Sequence, residues 1–431
     1  MAFISPIHGG LVFNDDEDVK AQPKNESINK EFNPKKSDLT FEERFQLCKS
    51  IGEEVTTEDE LAMLLKTKPQ FICYDGFEPS GRMHIAQGIL KSINVNKITK
   101  SGGIFLFWVA DWFAMLNNKL GGDLSKIQIY GKYFIEIWKA CGMDLANVKF
   151  LWASEEITKS ASTYWLRVMD IARKNSISRI KKCCQIMGRA EGEKLQASQI
   201  FYPCMQCADI FYLNADICQL GMDQRKVNML AIEYCDDIGR KEKPVIISHH
   251  MLMGLKEGQP KMSKSDPDSA IFMEDTEENI VNKVKKSYCP EGIVANNPIM
   301  DYCKHMIFPS FKEVLVKRTE KNGGDILFKS YEELEKAFSS KLLHPGDLKP
   351  AFAKYLNLLI EPVRKHFKEN EYARNLLEEV IKIRNEFESL KKEEDKSLKQ
   401  KVPNPQEAEV AIKEVEINAE IKKEEKNEVK Q

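Results

Sequence analysis

The stretch from Tyr74 to Gly88, YDGFEPSGRMHIAQG, constrains this chain more than any other. It follows Phe71-Ile72-Cys73, an apolar run of strand type, and precedes Ile85, Ile89, Leu90, Ile93 and Ile98, whose spacing fits one helix face. The segment therefore reads as strand, turn, helix. Gly76, Pro79 and Gly81 break both periodicities, and the loop they form brings His84 and a row of free backbone N–H groups to the start of the helix. Such a terminus favours anions. Taken alone, a glycine-rich turn of this kind serves as readily to pack a helix on its sheet.

A second stretch answers it. Lys261 to Ser265 spell KMSKS, after Gly254 and Gly258 and just before Pro267. Two lysines three apart on a loop, Lys261 and Lys264, can close on a polyphosphate and supply charge where pyrophosphate departs. By itself the pentapeptide could be a solvated basic loop. In one chain and in this order, PSGRMHIAQG and KMSKS resemble the HIGH and KMSKS signatures of class I aminoacyl-tRNA synthetases. That resemblance assigns Gly76, Gly81, His84 and Gly88, with Lys261, Met262, Ser263, Lys264 and Ser265, to ATP.

With 431 residues the chain allows two or three domains, and its formal net charge of −2 excludes a protein that coats nucleic acid by global charge. Any RNA contact must be local, and no DNA partner is expected. Eleven cysteines, an odd number spread along the chain, imply free thiols in a reducing compartment. The N-terminus lacks the pattern of a signal peptide, and no apolar run is long enough to span a bilayer. A cytoplasmic protein without a membrane partner is the expectation.

Residues 1–38 read as a flexible arm. Two short helices then precede the first strand, the second opened by a capping box at Thr57 and Glu60. Ile104 to Val109 is continuously apolar, the mark of a buried parallel strand, with Asp111 at its C-terminal end. The Leu124–Cys141 helix and the Val148–Trp152 strand continue the alternation. These elements predict an α/β domain over 39–275, a Rossmann-like doubly wound parallel sheet. Thr158 to Met187 reads as one long helical region whose Arg167, Arg173, Lys174, Arg179, Lys181 and Lys182 are either a solvated face or a phosphate-backbone contact. An α-helical domain follows over 276–391, and 392–431 is a charged tail.

Tyr202, Gln206 and Asp209 are spaced by four and by three, so on a helix they share one face. A converging phenol, amide and carboxylate form either a satisfied polar seam or a ligand pocket, and beside a nucleotide site the pocket is the better reading. Gln224, where GMDQRK turns from strand to helix, falls near the same crevice. Cys204-x-x-Cys207 lacks a second pair at zinc-ribbon spacing, and His249-His250 are strand neighbours that point to opposite faces. No metal ligands are assigned.

With these residues on the page, the region from about Thr40 to about Lys391 resembles the tyrosyl-tRNA synthetases of eukaryotic and archaeal cytosolic type. YDGFEPSG, MHIAQG, FYPCMQCADIFYL, GMDQRK, KMSKS, NNPIM and LHPGDLK carry the likeness. The resemblance implies that Tyr74 and Asp209 grip the substrate phenol, that Tyr202, Gln206 and Gln224 hold its ammonium group, and that His84, Lys261 and Lys264 serve ATP in catalysis. It also implies a helical anticodon-binding domain in which His344 and Asp347 read the anticodon. L-tyrosine, ATP with Mg2+, tRNA(Tyr) and a second copy in a homodimer, with the Leu124–Cys141 region contributing, are the implied partners. There are departures: Gln87 replaces the second histidine of HIGH, Phe113 stands where relatives often carry histidine, and Asn322 replaces a stacking aromatic. Tryptophanyl-tRNA synthetase, a small-molecule nucleotidyltransferase and a catalytically silent RNA-binding scaffold are the rival readings.

Overall fold

The computed structural model describes residues 32–184, 195–262 and 266–401, with the backbone alone over 391–401. Residues 1–31 of the expected arm, 185–187 of the expected long helix, the tail beyond 401, and Ser263, Lys264 and Ser265 lie outside the described residues. A first compact unit ends at Leu376 and a second begins at Leu377.

The first unit opens with α1 (Phe41–Lys49). Its capping box is Thr40 with Glu43: the Glu43 N–H donates to the Thr40 hydroxyl at 3.3 Å and the Thr40 N–H to the Glu43 carboxylate at 2.8 Å. The expected box at Thr57 is a correction. Before α2 (Glu58–Thr67), Gly52–Thr56 forms a strand, β1, and leaves Thr57 at φ 65°, where its hydroxyl meets Glu60 and caps no backbone N–H. Two helices with a strand between them thus precede β2 (Phe71–Phe77).

Beyond β2 a π-turn over Ala86–Leu90 runs into α3 (Lys91–Lys100), then β3 (Gly103–Val109), α4 (Asp111–Leu116), α5 (Leu124–Ala140) and β4 (Val148–Trp152). The single long helix expected after Thr158 is instead three: α6 (Ala153–Lys159), α7 (Ala161–Lys174) and α8 (Ile177–Cys183). Ser160 breaks the first junction and Ser176 caps α8 through the Arg179 N–H. Next come α9 (Ala197–Tyr212), β5 (Ile217–Gly221), α10 (Arg225–Asp237) and β6 (Val245–His249).

The six strands lie in the order β1-β6-β5-β2-β3-β4, parallel except for β1, which runs antiparallel along β6. β2 pairs with β3 from Phe71↔Gly103 to Phe77↔Val109 and on its other side with β5 at Cys73↔Ile217. Phe105, Phe107, Trp108 and Val109 of β3 are buried, as a strand covered on both faces requires. Past β6 come α11 (Glu277–Lys286) and a small antiparallel hairpin of β7 (Val314–Val316) and β8 (Ile326–Phe328), with further helices before and after it in the chain. They are α12 (Pro298–Tyr302), continued by a π-turn over Cys303–Ile307, then α13 (Tyr331–Ser339), α14 (Pro345–Glu369) and α15 (Glu371–Lys401), within which the second unit begins. All eleven cysteines are free thiols, and no helix among the described residues is long and apolar enough to cross a membrane.

Candidate active site

Because β2 has β3 on one side and β5 on the other, the connections leave its C-terminal end in opposite directions and open a crevice there. A cavity of about 640 Å³ fills it, lined by Tyr74, Gly76, His84, Tyr202, Gln206, Asp209, Gln224, Lys261 and Met262 among others. Residues drawn from four separate stretches of sequence thus meet at one place. Two expected residues stand aside. Gly81 takes φ 63° in the turn, and Gly88 lies under the helix, where a Cβ would come within 2.4 Å of Met273 Sδ. Both shape the loop and neither lines the cavity.

α9 supplies the predicted face of Tyr202, Gln206 and Asp209, all buried. Pro203 inside this helix cannot donate to the Gln199 carbonyl, and the Cys184 thiol approaches that oxygen at 3.5 Å instead. Asp209 is fully buried: Oδ1 accepts the Tyr164 hydroxyl at 2.7 Å, while Oδ2 has no partner. Burial pushes its carboxyl well above the usual range, with the Tyr164 hydrogen bond opposing. Burial, then the Asp209 charge, raises the Tyr74 phenol, and burial, then Glu78, raises that of Tyr202. Both phenols stay protonated. Gln206 Nε2 donates to Gln224 Oε1 at 3.1 Å, which fixes the two amides against each other.

The floor is a chain of buried polar groups. Lys91 pairs with Asp75 and donates to Gln219 Oε1 at 3.2 Å, and Gln219 Nε2 donates to His249 Nδ1 at 2.7 Å. Burial, reinforced by Lys91, holds His249 well below the ordinary imidazole value, so it is a neutral acceptor. Asp111, at the C-terminal end of β3, is engaged within the fold. It accepts the Ser154 N–H at 3.0 Å and hydroxyl at 2.6 Å, together with the Gln128 amide at 3.1 Å.

His84 is positioned by the segment that follows KMSKS. The Ile85 N–H donates to the Ile271 carbonyl at 2.8 Å and the Met273 N–H to Met83 at 2.9 Å, with His84 bridged to Phe272 between them. Arg82 locks this seam by donating to Glu274 at 2.6 Å and Asp275 at 2.9 Å, its guanidinium 3.8 Å from the Phe272 ring centroid. The loop carrying His84 is thereby bound to the segment 271–275.

The family described as tRNA synthetases class I (W and Y) matches residues 66–361. The tyrosine–tRNA ligase 1, cytoplasmic, of Arabidopsis thaliana is 60% identical over 339 residues, covering 79% of this chain and 88% of that protein. The chain belongs to the class I tyrosyl-tRNA synthetases. Among solved structures, the Leishmania major enzyme in complex with tyrosinol superposes with a TM-score of 0.76 at 54% identity over 80% of this synthetase, which spans about half of that chain, 53%. The Pyrococcus horikoshii enzyme complexed with L-tyrosine gives 0.74 at 36% identity, over 79% of this synthetase and 100% of that chain. As a member of this family the synthetase is an enzyme that uses ATP.

Sequence reasoning missed several residues of the site. Tyr164, Lys91 and Gln219 lie outside every motif. Asp75 and Glu78 did carry a signal, as carboxylates inside YDGFEPSG, and Glu78 receives the Asn117 amide at 3.0 Å and Lys119 at 3.5 Å. Far along the chain, His344 caps α14 by accepting the Gly346 N–H at 2.9 Å, and Asp347 follows in its first turn. Neither belongs to the cavity. Of the basic run, Arg173 pairs with Asp170, Arg179 with Glu233, and Lys174 donates to the Asp237 carbonyl, so these three are spent inside the chain.

Proposed function

We propose that this synthetase is a tyrosine–tRNA ligase, joining L-tyrosine to ATP in the cavity and passing the tyrosyl group to the 3′ end of tRNA(Tyr). The observation that carries the amino-acid choice is Asp209 Oδ2, a buried carboxylate oxygen without a partner in a cavity that also holds Tyr74. An unsatisfied buried acceptor is costly, and a ligand hydroxyl at that point removes the cost. Tyr74 and Asp209 then hold the phenol. Tyr202, Gln206 and Gln224 take the ammonium group, because the Gln206 carbonyl is the acceptor left by the amide pair.

The chemistry needs no protein nucleophile. A carboxylate oxygen of tyrosine attacks the α-phosphorus of ATP, the bond to the bridging oxygen breaks, and pyrophosphate leaves. A terminal ribose hydroxyl of the tRNA then attacks the tyrosyl carbonyl and releases AMP. His84 and Lys261 position the phosphates and meet the charge that develops, which is catalysis by orientation and electrostatics. Lys264, with Ser263 and Ser265, completes the loop. Gly76 keeps room for the ligand: a Cβ there would meet only ordinary contacts, 3.6 Å from the Tyr74 hydroxyl, so nothing in the protein itself demands glycine. Of the carboxylates lining the cavity, Asp75 is engaged by Lys91 and Glu78 by Asn117 and Lys119, and Mg2+ would enter with ATP as a counter-ion of its phosphates.

Residues 276–391 serve as the anticodon-binding part, with His344 and Asp347 at its surface. A homodimer to which α5 contributes is part of this reading; Ile127, Tyr130, Phe134, Ile137 and Trp138 are buried within the chain, so the remaining faces of α5 are the ones offered to a second copy. Free thiols and relatives named cytoplasmic support a cytoplasmic enzyme. Amino-acid-dependent ATP–pyrophosphate exchange tests the reading: tyrosine alone among the standard amino acids should support it, and exchange driven by tryptophan would replace it.

A further inference from the structure

At the edge of the ATP crevice, which His250 also lines, two imidazoles and a carboxylate converge on one point. His250 directly follows β6, Asp301 lies in α12, and His305 sits one turn later in the π-turn, a geometry that recurs at functional sites. His250 Nε2 is 2.7 Å from Asp301 Oδ1, His305 Nε2 is 3.8 Å from the same oxygen, and the three ligand atoms lie within 4.8 Å of one another. The two rings stack, centroids 4.1 Å apart at 18°. We infer that His250, Asp301 and His305 bind one transition-metal cation of the zinc class.

The geometry suits such an ion. Bonds of about 2.0–2.2 Å to nitrogen and oxygen put neighbouring ligands of a tetrahedral site about 3.3 Å apart, and the two distances to Asp301 Oδ1 fall on either side of that value. A small rotation of the carboxylate equalises them. Imidazole nitrogen favours zinc, copper or nickel over magnesium or calcium. The supporting groups are those a metal histidine requires: Glu53 Oε2 faces His250 Nδ1 at 3.2 Å, and the Met253 N–H donates to Asp301 Oδ2 at 3.1 Å. A separate cavity of about 490 Å³, lined by His250, Asp301 and His305 with Glu53, Lys304 and Glu335, gives entry and leaves a fourth position for water.

His249 takes no part, since its ring faces Gln219. The consequence is a staple: the bound ion ties His250 to the segment after Pro298. Met251 and Leu252, which follow His250 in the chain, line the ATP cavity.

The test is calorimetric titration of the chelator-stripped full chain with ZnCl2, and of the same protein with CoCl2 followed by visible absorption. One zinc per chain, a raised melting temperature and tetrahedral cobalt bands are expected. His305→Ala and Asp301→Asn should abolish all three, His305→Cys should restore them with a thiolate ligand, and Glu53→Gln should weaken binding about 10–100-fold through the supporting contact. Metal-free melting of each variant separates lost ligation from lost folding, and Glu53→Gln decides the matter if the ligand variants do not fold. Unchanged zinc uptake in His305→Ala and Glu53→Gln, or no saturable uptake by the wild type, overturns the site and leaves a stacked His–Asp ion pair. Tyrosine-dependent exchange is measured alongside, so failure of the metal site is distinct from failure of the ligase reading.

Discussion

The Tyr164 hydroxyl donates to Oδ1 of Asp209 at 2.7 Å and so turns Oδ2 toward the cavity without a partner of its own. One phenol of the protein thus occupies half of the carboxylate, and the other half is the one proposed above to receive the phenol of the substrate. Removing the first should misalign the second. Tyr164→Phe is expected to lower kcat/KM for tyrosine by about tenfold to a hundredfold, the scale of leaving one buried polar atom without its hydrogen bond. Phenylalanine activation should move far less. Exchange kinetics with both amino acids check this, and an equal fall for the two would make Tyr164 a packing residue.

Asp209 itself links selectivity to stability. Its folded value is raised by burial, so from about pH 3.9, the ordinary carboxylate value, up to that raised value the native state keeps a proton that the unfolded chain has lost. Stability contributed by the protonated group is complete below that window and is lost as pH rises through it. Asp209→Asn has no such proton. Its melting temperature relative to wild type should therefore climb with pH, while tyrosine activation falls by about 2 kcal/mol or more in transition-state terms. A melting difference that is flat between acid and neutral pH would contradict a buried, proton-retaining Asp209.

Gly76 separates the needs of the fold from those of the ligand. An added methyl would lie 3.6 Å from the Tyr74 hydroxyl and 3.8 Å from Trp108 Cβ, both ordinary contacts. Gly76→Ala should melt within about 1 kcal/mol of wild type, the scale of a benign glycine substitution, yet raise KM for tyrosine or ATP at least tenfold. Thermal melting and exchange kinetics on one preparation decide it. Wild-type kinetics would mean that no ligand approaches this backbone.

Periodicity made the α9 face legible: Tyr202, Gln206 and Asp209 reach one cavity because a 3.6-residue repeat brings four- and three-residue steps together. β3 was equally legible, since a strand buried on both faces is written as an unbroken apolar run. β1 was not. Its Gly-Glu-Glu-Val-Thr reads as loop, yet edge strands commonly carry charge, and the pairing that holds it is to β6, almost two hundred residues away. Tyr164 escaped for a related reason. An aromatic inside an amphipathic helix looks like core, and only the tertiary approach of α7 to α9 turns its hydroxyl onto Asp209. The floor of Asp75, Lys91, Gln219 and His249 spans four elements that no local pattern connects.

At the surface of α14, Asn322 donates its amide to both oxygens of Asp347, each at 3.1 Å. The residue that replaces an expected stacking aromatic thus orients the carboxylate itself. Asp347→Ala should leave tyrosine-dependent exchange at the wild-type rate, because Asp347 lies outside the cavity. Charging of tRNA(Tyr) should fall about tenfold, and charging of a transcript altered at the first anticodon base should not fall further. Equal charging of both transcripts before and after the mutation would remove Asp347 from anticodon reading.

Arg82 offers the sharpest test of the seam between the His84 loop and the segment 271–275. Its guanidinium spans Glu274 and Asp275 and lies over Phe272, directly where the backbone of Met83 and Ile85 bonds to Met273 and Ile271. Lysine keeps the charge but has no planar fork to reach two carboxylates at once. In Arg82→Lys, Asp275 keeps Lys283 at 2.6 Å and is not left as an unpaired buried charge, so the fold should survive. What is lost is registry. A shift of about 1 Å between His84 and the loop carrying Lys261 is enough to cost up to about a hundredfold in rate. The expected result is a fall of about ten- to a hundredfold in kcat for adenylate formation with KM for tyrosine unchanged, since Tyr74 and Asp209 stand apart from this seam. Pre-steady-state adenylate formation at saturating tyrosine and ATP reads the effect directly. A variant that loses tyrosine affinity but keeps its rate would place Arg82 in support of the amino-acid pocket rather than between the loops.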